Sequence, residues 1–321
     1  MTDGKRVLVL GATGGIGGEV ARQLRDVGWD VRGLRRNQSR GDAERGIEWI
    51  AGDAMKRDDV MRAAEGVSVI VHAVNPPGYR RWAELVLPMM DNTIAAAQAE
   101  RATIALPGTV YNFGPDAFPL LNEHSPQHPA TRKGAIRVEM EARIQRATQS
   151  GARGLIVRAG DFFGPRSGSN WFSQALVKPG RPVKKITNPG TPGVGHQWSY
   201  LPDVARAMVE LLERRDALDA FARFHMGGHW DEDGTQFAAA IKRVVAKRTG
   251  REPSVASLPW WLFTLGAPFN ETFREVKELR YLWRTPLRMD NARLVAMLGR
   301  EPRTPLDEAI EATLQGQGCL R

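Results

Sequence analysis

Three groups of residues in this chain have the types and spacing to do chemistry. The first is Gly11-Ala12-Thr13-Gly14-Gly15-Ile16-Gly17-Gly18, directly after the apolar run Val7 to Leu10. One glycine at a strand end permits a tight turn, a second lets backbone approach a pyrophosphate, and a third lets helix and strand pack closely. The helix that follows presents open amides and its positive dipole end to the phosphates. The spacing of Gly11, Gly14 and Gly17 is GxxGxxG; the loop lacks the Lys-Ser/Thr of a P-loop. The second group is Arg35 and Arg36, which close the run from Asp30 to Leu34. An Asp or Glu there would hold the ribose 2′-hydroxyl of NAD, whereas two guanidiniums suit a 2′-phosphate. NADP is therefore the expected cofactor and NAD the alternative. The third group is Lys133 and Arg137, one helical turn apart. A lysine so placed can protonate a developing alkoxide or enolate, with the arginine holding ribose or phosphate. The plainer reading is a charged face with Arg137 paired to Glu141 at i,i+4.

These groups need elements to position them, and the apolar periodicity supplies those. Strands are predicted at Val7–Leu10, Asp30–Leu34, Ile47–Ala51, Val67–Val74, Ala102–Leu106 and Gly154–Arg158. Helices are predicted at Gly15–Val27, Asp58–Glu65, Arg81–Glu100 (kinked or broken at Pro88) and Thr131–Thr148. Strand-helix alternation at this pitch implies α/β architecture, a Rossmann-type doubly wound parallel sheet covered on both faces. Gly and Pro become dense between Gly164 and Gly195, which reads as a loop, and helices return at Pro202–Arg215, Thr235–Arg248 and Asn270–Trp283. Residues 1–160 are expected to form the dinucleotide-binding domain, with segments around 196–230 returning to it. Residues 161–321 are expected to form mainly a smaller substrate lobe.

Composition removes several classes. Apolar residues make up 42% and charged ones 25% of 321 residues, which excludes a disordered or fibrous chain. The single cysteine, Cys319, excludes an intrachain disulfide and a cysteine-based zinc site, and reads as a tail thiol. No metal is expected. No signal-peptide core and no apolar run of membrane-spanning length is present, so a soluble cytoplasmic protein is the expectation. The net charge of +9 comes from basic residues interleaved with acidic ones, so neither nucleic acid nor membrane is expected as a partner.

Several further landmarks occur in order. Gly52-Asp53-Ala54 follows the third strand, and His72-Ala73-Val74-Asn75 ends the fourth. Thr109-Val110-Tyr111-Asn112 follows the fifth, Arg158 to Arg166 reads RAGDFFGPR, and Tyr200 to Ala205 reads YLPDVA. With the glycine loop, these make residues 5 to 210 resemble the short-chain dehydrogenase/reductase superfamily, in its extended, epimerase/dehydratase-like branch. The corresponding family segments read TVYG, RxxNxYGPR and HVxDVA. The resemblance implies that Gly11, Thr13, Gly14, Gly15, Ile16 and Gly17 hold the pyrophosphate. It places Asp53 and Ala54 by the adenine, and has Ala73, Val74 and Asn75 back the cofactor. It also implies a homodimer, paired through helices near Arg81–Glu100 and Thr131–Thr148.

The family's chemistry uses a Ser or Thr with a Tyr and Lys spaced YxxxK. Here the Ser position falls near Pro107, the Tyr position at Lys133 and the Lys position at Arg137. Lys133, Ile136, Arg137 and Glu141 locally resemble the atypical reductases related to isoflavone and pinoresinol reductases, in which a lysine is the acid/base. Tyr111 is the next proton-donor candidate. His124, His128 and His196 read as loop histidines, and His225 with His229 brackets a Gly-Gly that disfavours a metal-binding helix. Aromatic residues from Trp171 to Trp283 read mainly as the core of the small lobe, some lining an apolar pocket; Arg166, Lys178, Arg181, Lys184 and Lys185 are alternatives suited to anions.

The expected function is an NADP(H)-dependent reductase. It would transfer hydride to a carbonyl or conjugated double bond of a small apolar or aromatic substrate, with Lys133 as proton donor. The alternatives are a nucleotide-sugar epimerase or dehydratase, and a non-catalytic NADP-binding sensor or interaction protein.

Overall fold

The computed structural model describes residues 4–36, 46–76, 82–168, 170–266, 273 and 277–320. Its centre is a seven-stranded sheet of β1 (Arg6–Leu10), β2 (Asp30–Arg35), β3 (Ile47–Ala51), β4 (Val69–His72), β5 (Thr103–Gly108), β7 (Arg153–Arg158) and β11 (Phe221–His225). The spatial order is β3-β2-β1-β4-β5-β7-β11, and every pairing is parallel. The chain leaves β1 toward β3 and returns to the other side of β1 at β4. This makes a topological switch point between β1 and β4, and the crevice outside the strands' carboxyl ends there is where such sheets take ligands.

Alternation along β1 explains the two layers. Val7 and Val9 join one core with Val20 and Leu24 of α1 (Gly15–Asp26), Val204 and Met208 of α5 (Leu201–Leu212), and Leu294 of α8 (Ala292–Leu298). Leu8 and Leu10 join the opposite core. That core takes in Val60 of α2 (Arg57–Ala64), Met90 of α3 (Trp82–Glu100), and Met140 and Ile144 of α4 (Arg132–Ala147). Successive strand residues face opposite ways, so both faces of β1 are apolar because both are covered. The helix expected to kink or break at Pro88 continues through it. Val86, Met89 and Met90 flank the proline and are packed in the core, which holds the turn that lacks an N–H.

The second half is more ordered than its Gly/Pro content suggested. β8 (Asp161–Phe163), β10 (His196–Tyr200) and β12 (His229–Asp231) form a small sheet, and β9 (Lys185–Asn188) pairs with β13 (Ser254–Ser257). With α6 (Gln236–Thr249) and α9 (Leu306–Gly316) they enclose Phe163, Phe172, Trp198, Phe237 and Trp283 in a third core. Cys319, read as a tail thiol, is packed into this core and 5% exposed. Burial raises its thiol pKa. The two-stranded ribbon of β6 (Leu120–Leu121) and β14 (Arg288–Met289) ties the lobe to the sheet. Of the helix expected at Asn270–Trp283, Leu279–Trp283 is a 3-10 turn and most of the rest lies outside the described residues, as does Arg81.

Candidate functional site

At the switch point, Gly11 follows β1 with φ +88°, and a Cβ there would stand 2.5 Å from the Ala73 carbonyl that follows β4. Only glycine allows that turn and that approach together. A Cβ on Gly17 would strike the Gly11 carbonyl, so the first turn of α1 is drawn against the loop. The N-cap of α1, Gly14, supplies no side-chain cap, and no acidic residue stands in the first turn. The amides there are left for an anion. Thr13 and Gly14 are exposed and Gly15 and Ile16 half-buried beside this opening. These residues fit a dinucleotide pyrophosphate.

The carbonyls of Arg166 and Ser167 lie 3.2 and 2.8 Å from where a Gly15 Cβ would stand. The segment after β8 therefore straps the start of α1. Arg166, an anion-binding alternative in the sequence, lies 3.8 Å from Glu19 of α1.

At the end of β2, the Arg35 guanidinium sits 4.6 Å from the centre of the Trp49 ring, and a Cβ on Gly33 would meet that same ring at 2.6 Å. Gly33 thus makes room for the indole, and the indole carries Arg35; Arg36 is exposed beside it. Asp53 is half-buried, and its Oδ1 accepts from the Met55 amide at 3.0 Å. Buried Ala54 offers its carbonyl to Asn92 of α3 at 2.9 Å, while Val74 is half-buried and Asn75 exposed past β4.

The third group lies farther along the same sheet edge. Thr131 caps α4, its Oγ1 accepting from the Gly134 amide at 3.1 Å, and Lys133 follows at 5% exposure. A Cβ on Gly134 would collide with the Tyr111 carbonyl. Glycine therefore lets the start of α4 dock on the 110–112 turn that follows β5, bringing Lys133 and Tyr111 to one place. Pro107, near which the family's Ser position falls, is inside β5 and offers no hydroxyl.

Arg137 does not follow the plainer reading. Its guanidinium lies 5.3 Å from the Trp82 ring centre. Glu141 instead pairs with Arg158 of β7 and accepts from Asn112 Nδ2 at 3.0 Å. Arg137 also bears on His72, at the end of β4. Thr93 donates to the Met89 carbonyl, so His72 Nδ1 donates to Thr93 Oγ1 at 2.8 Å. Burial first, and then the Arg137 charge, push the His72 pKa down to about 3, so this imidazole is neutral.

Tyr111 borders an apolar cluster that joins residues 110–121 to residues 279–289; Phe118, packed against it, stacks on Tyr281 at 6.2 Å. Asp161 stands at the Asn position of the family segment and meets His196 Nε2 at 2.9 Å; Trp283 stacks on His196 at 3.8 Å. His128 Nδ1 lies 2.8 Å from Asp116 on the surface, while His225 and His229 lie on separate strands, β11 and β12. Sequence reasoning did not find His72, Thr93, Asn92, Asn112 or the Asp161–His196 pair as site residues. His72, Asn112, Asp161 and His196 carried a signal, since each sits in or beside a segment already marked.

A parallel sheet with a switch-point crevice, and a glycine cradle after its first strand, define a Rossmann-type α/β protein. A family profile described as the NAD dependent epimerase/dehydratase family matches residues 7–227, and the chain belongs to that family. That family lies within the extended short-chain dehydrogenase/reductase superfamily. A curated relative, the 3-diazoavenalumate denitrifying reductase of a Streptomyces species, is 30% identical over 179 residues. That match covers 51% of this chain and 58% of the relative. Among solved structures, the UDP-glucose 4-epimerase from Brucella ovis in complex with NAD matches with a TM-score of 0.75 at 17% identity, over 99% of each chain. WbmH of Bordetella bronchiseptica in complex with NAD+ matches with a TM-score of 0.70 at 17% identity, over 98% of this chain and 99% of that one. At such identity the structures establish the shared fold. Among the described residues no helix is long and apolar enough to cross a membrane.

Proposed function

We propose that the protein is an NADP(H)-dependent reductase acting on a carbonyl or conjugated double bond of a small apolar or aromatic substrate, with Lys133 as proton donor. The observation that carries this reading is the burial of Lys133 at the start of α4, where the family's Tyr would stand, beside Gly134, which docks on the Tyr111 turn; near the Ser position stands Pro107. NADPH, when bound, supplies the hydride. Gly11 to Gly17 bind its pyrophosphate, and Arg35, over the Trp49 ring, with Arg36 meets its 2′-phosphate. Lys133 holds the proton for the oxygen or carbon that gains charge. Arg137 keeps a positive charge beside that point, and His72 stays neutral behind it.

The lobe side favours an aromatic substrate over a nucleotide sugar. A diphosphate calls for cations, yet Asp161 brings a carboxylate that pairs with His196, under Trp283 and near Phe118 and Tyr281. The reductase name of the Streptomyces relative supports the same direction. The names of the solved 4-epimerases support the other reading, in which the cofactor stays bound and is recycled.

The test is titration with NADPH and NADH, then turnover of a panel of aromatic aldehydes, ketones and enones by the protein and Lys133→Met. At least tenfold tighter NADPH, about 1.4 kcal/mol, with turnover lost in the variant and cofactor binding kept, is expected. Full turnover by Lys133→Met removes the lysine from the role. Tight binding without turnover on any substrate favours a sensor, and cofactor retained through purification favours the epimerase.

A further inference from the structure

A cavity of about 360 Å³ opens past the carboxyl end of β11, between β12, the β6–β14 ribbon and the approach to α9. It is separate from the cofactor crevice. β11 is the edge strand, three positions from β4, or about 14 Å at ordinary strand spacing. The ribbon also divides the two sites. Leu121 is buried in the cluster beside Tyr111, Met289 belongs to that cluster and also lines the cavity, and Leu120 and Arg288 are exposed on the cavity side.

The cavity's charges are unevenly committed. Glu301 accepts from the Gly227 amide at 2.6 Å, the Gly228 amide at 2.8 Å and Asn291 Nδ2 at 2.8 Å. Asp290 accepts from the Ala292 amide at 2.9 Å, at the start of α8. Both carboxylates are therefore engaged with N–H donors. Arg288 and Arg303 also line the cavity, and among the described residues neither is in an ion pair. Arg288 lies 5.9 Å from the centre of the Trp230 ring. Trp230 is half-buried, and its six-membered ring lies so close over Gly195 that a Cβ there would strike it. An indole, an exposed leucine at 56% and two guanidiniums that make no ion pair among the described residues thus share one concavity.

We propose that this cavity binds a planar aromatic carboxylate. The ring lies against Trp230 and Leu120, and the carboxylate meets the guanidiniums of Arg288 and Arg303. Guanidinium forks match a carboxylate bidentately, and the volume lies at the lower end for small-ligand sites, which suits one or two fused rings. The site does not depend on the reductase reading, because none of its residues belongs to the proposed catalytic or cofactor group.

The test is calorimetric titration of the full chain with 2-naphthoate, with 2-naphthamide and inorganic phosphate as comparisons. Saturable binding of 2-naphthoate is expected, at least tenfold weaker for 2-naphthamide and absent for phosphate. Arg288→Ala with Arg303→Ala weakens it at least tenfold and leaves NADPH binding unchanged; both side chains are exposed, so the fold is kept. Trp230→Leu separately removes the ring's share. Absence of saturable heat, equal affinity in the double arginine variant, phosphate binding as well as naphthoate, or displacement of naphthoate by NADPH would each overturn the proposal.

Discussion

Glu141 pairs with Arg158, seventeen residues away, and not with Arg137, one turn before it on α4. The Glu141 and Arg158 side chains are 5% and 0% exposed, and Asn112 and His225 complete the group: Asn112 donates to Glu141, and Arg158 Nη1 donates to His225 Nε2 at 2.9 Å. This group joins the helix that carries Lys133, the turn that carries Tyr111, and strands β7 and β11. Glu141→Ala leaves a buried guanidinium unpaired, and such losses cost about 3–5 kcal/mol. Urea unfolding of the variant should show that drop. A loss under about 1 kcal/mol, the scale of exposed pairs, would mean that the pair is open to water.

Gly17→Ala should weaken binding of either dinucleotide at least tenfold, about 1.4 kcal/mol, because the new methyl meets the Gly11 carbonyl and pushes α1 from the loop. Gly28→Ala is the comparison. It lies in open space with φ +87°, so it carries only the backbone strain of that conformation and should leave cofactor affinity unchanged. Fluorescence titration of both variants decides. Equal affinities in Gly17→Ala and the unaltered chain would detach the loop from the cofactor.

Trp49→Leu removes the platform under Arg35 while keeping both arginines. NADPH affinity should fall about three- to tenfold, in line with a cation–π contact of about 1 kcal/mol, and NADH affinity should stay level. Arg35→Ser should give a larger loss of the same sign. Parallel losses for both cofactors would show that Trp49 supports the strand and not the phosphate contact.

Six of the seven strands of the sheet could be read from the sequence, helped by apolar runs in β1, β4, β5 and β7 and by the glycine loop that fixed where the first one ends; β11, FARFH, was not read as a strand. The position of Lys133 was readable by counting from the Tyr111 segment. The partner of Glu141 was not, because i,i+4 spacing is local and Arg158 arrives through strand β7. β8, β10 and β12 were missed for a different reason. They are three to five residues long, DFF, HQWSY and HWD, and their polar members are buried against one another, as Asp161 is against His196. Alternation has no signal when both kinds of residue face inward.

Three histidines set the acid side of the stability curve. Burial is the largest cause in each, and it pushes His72 and His225 down to about 3 and His229 down to about 4. The unfolded chain protonates them near pH 6.5, while the folded chain holds them neutral until well below that. Between those values the unfolded state binds more protons, so stability rises with pH. Their contribution is complete above about pH 7 and is lost as the pH falls from 6.5 toward 4. With three such groups the slope approaches about 4 kcal/mol per pH unit below pH 6. The carboxylates with lowered values, such as Glu19 and Asp59, lose their share only below their usual 4.5 and 3.8, so the range from 6.5 to 4.5 isolates the histidines. Urea unfolding at half-unit steps should show the decline there, and His72→Gln should reduce its slope by about one proton in three. A flat profile over that range would mean that the imidazoles reach water.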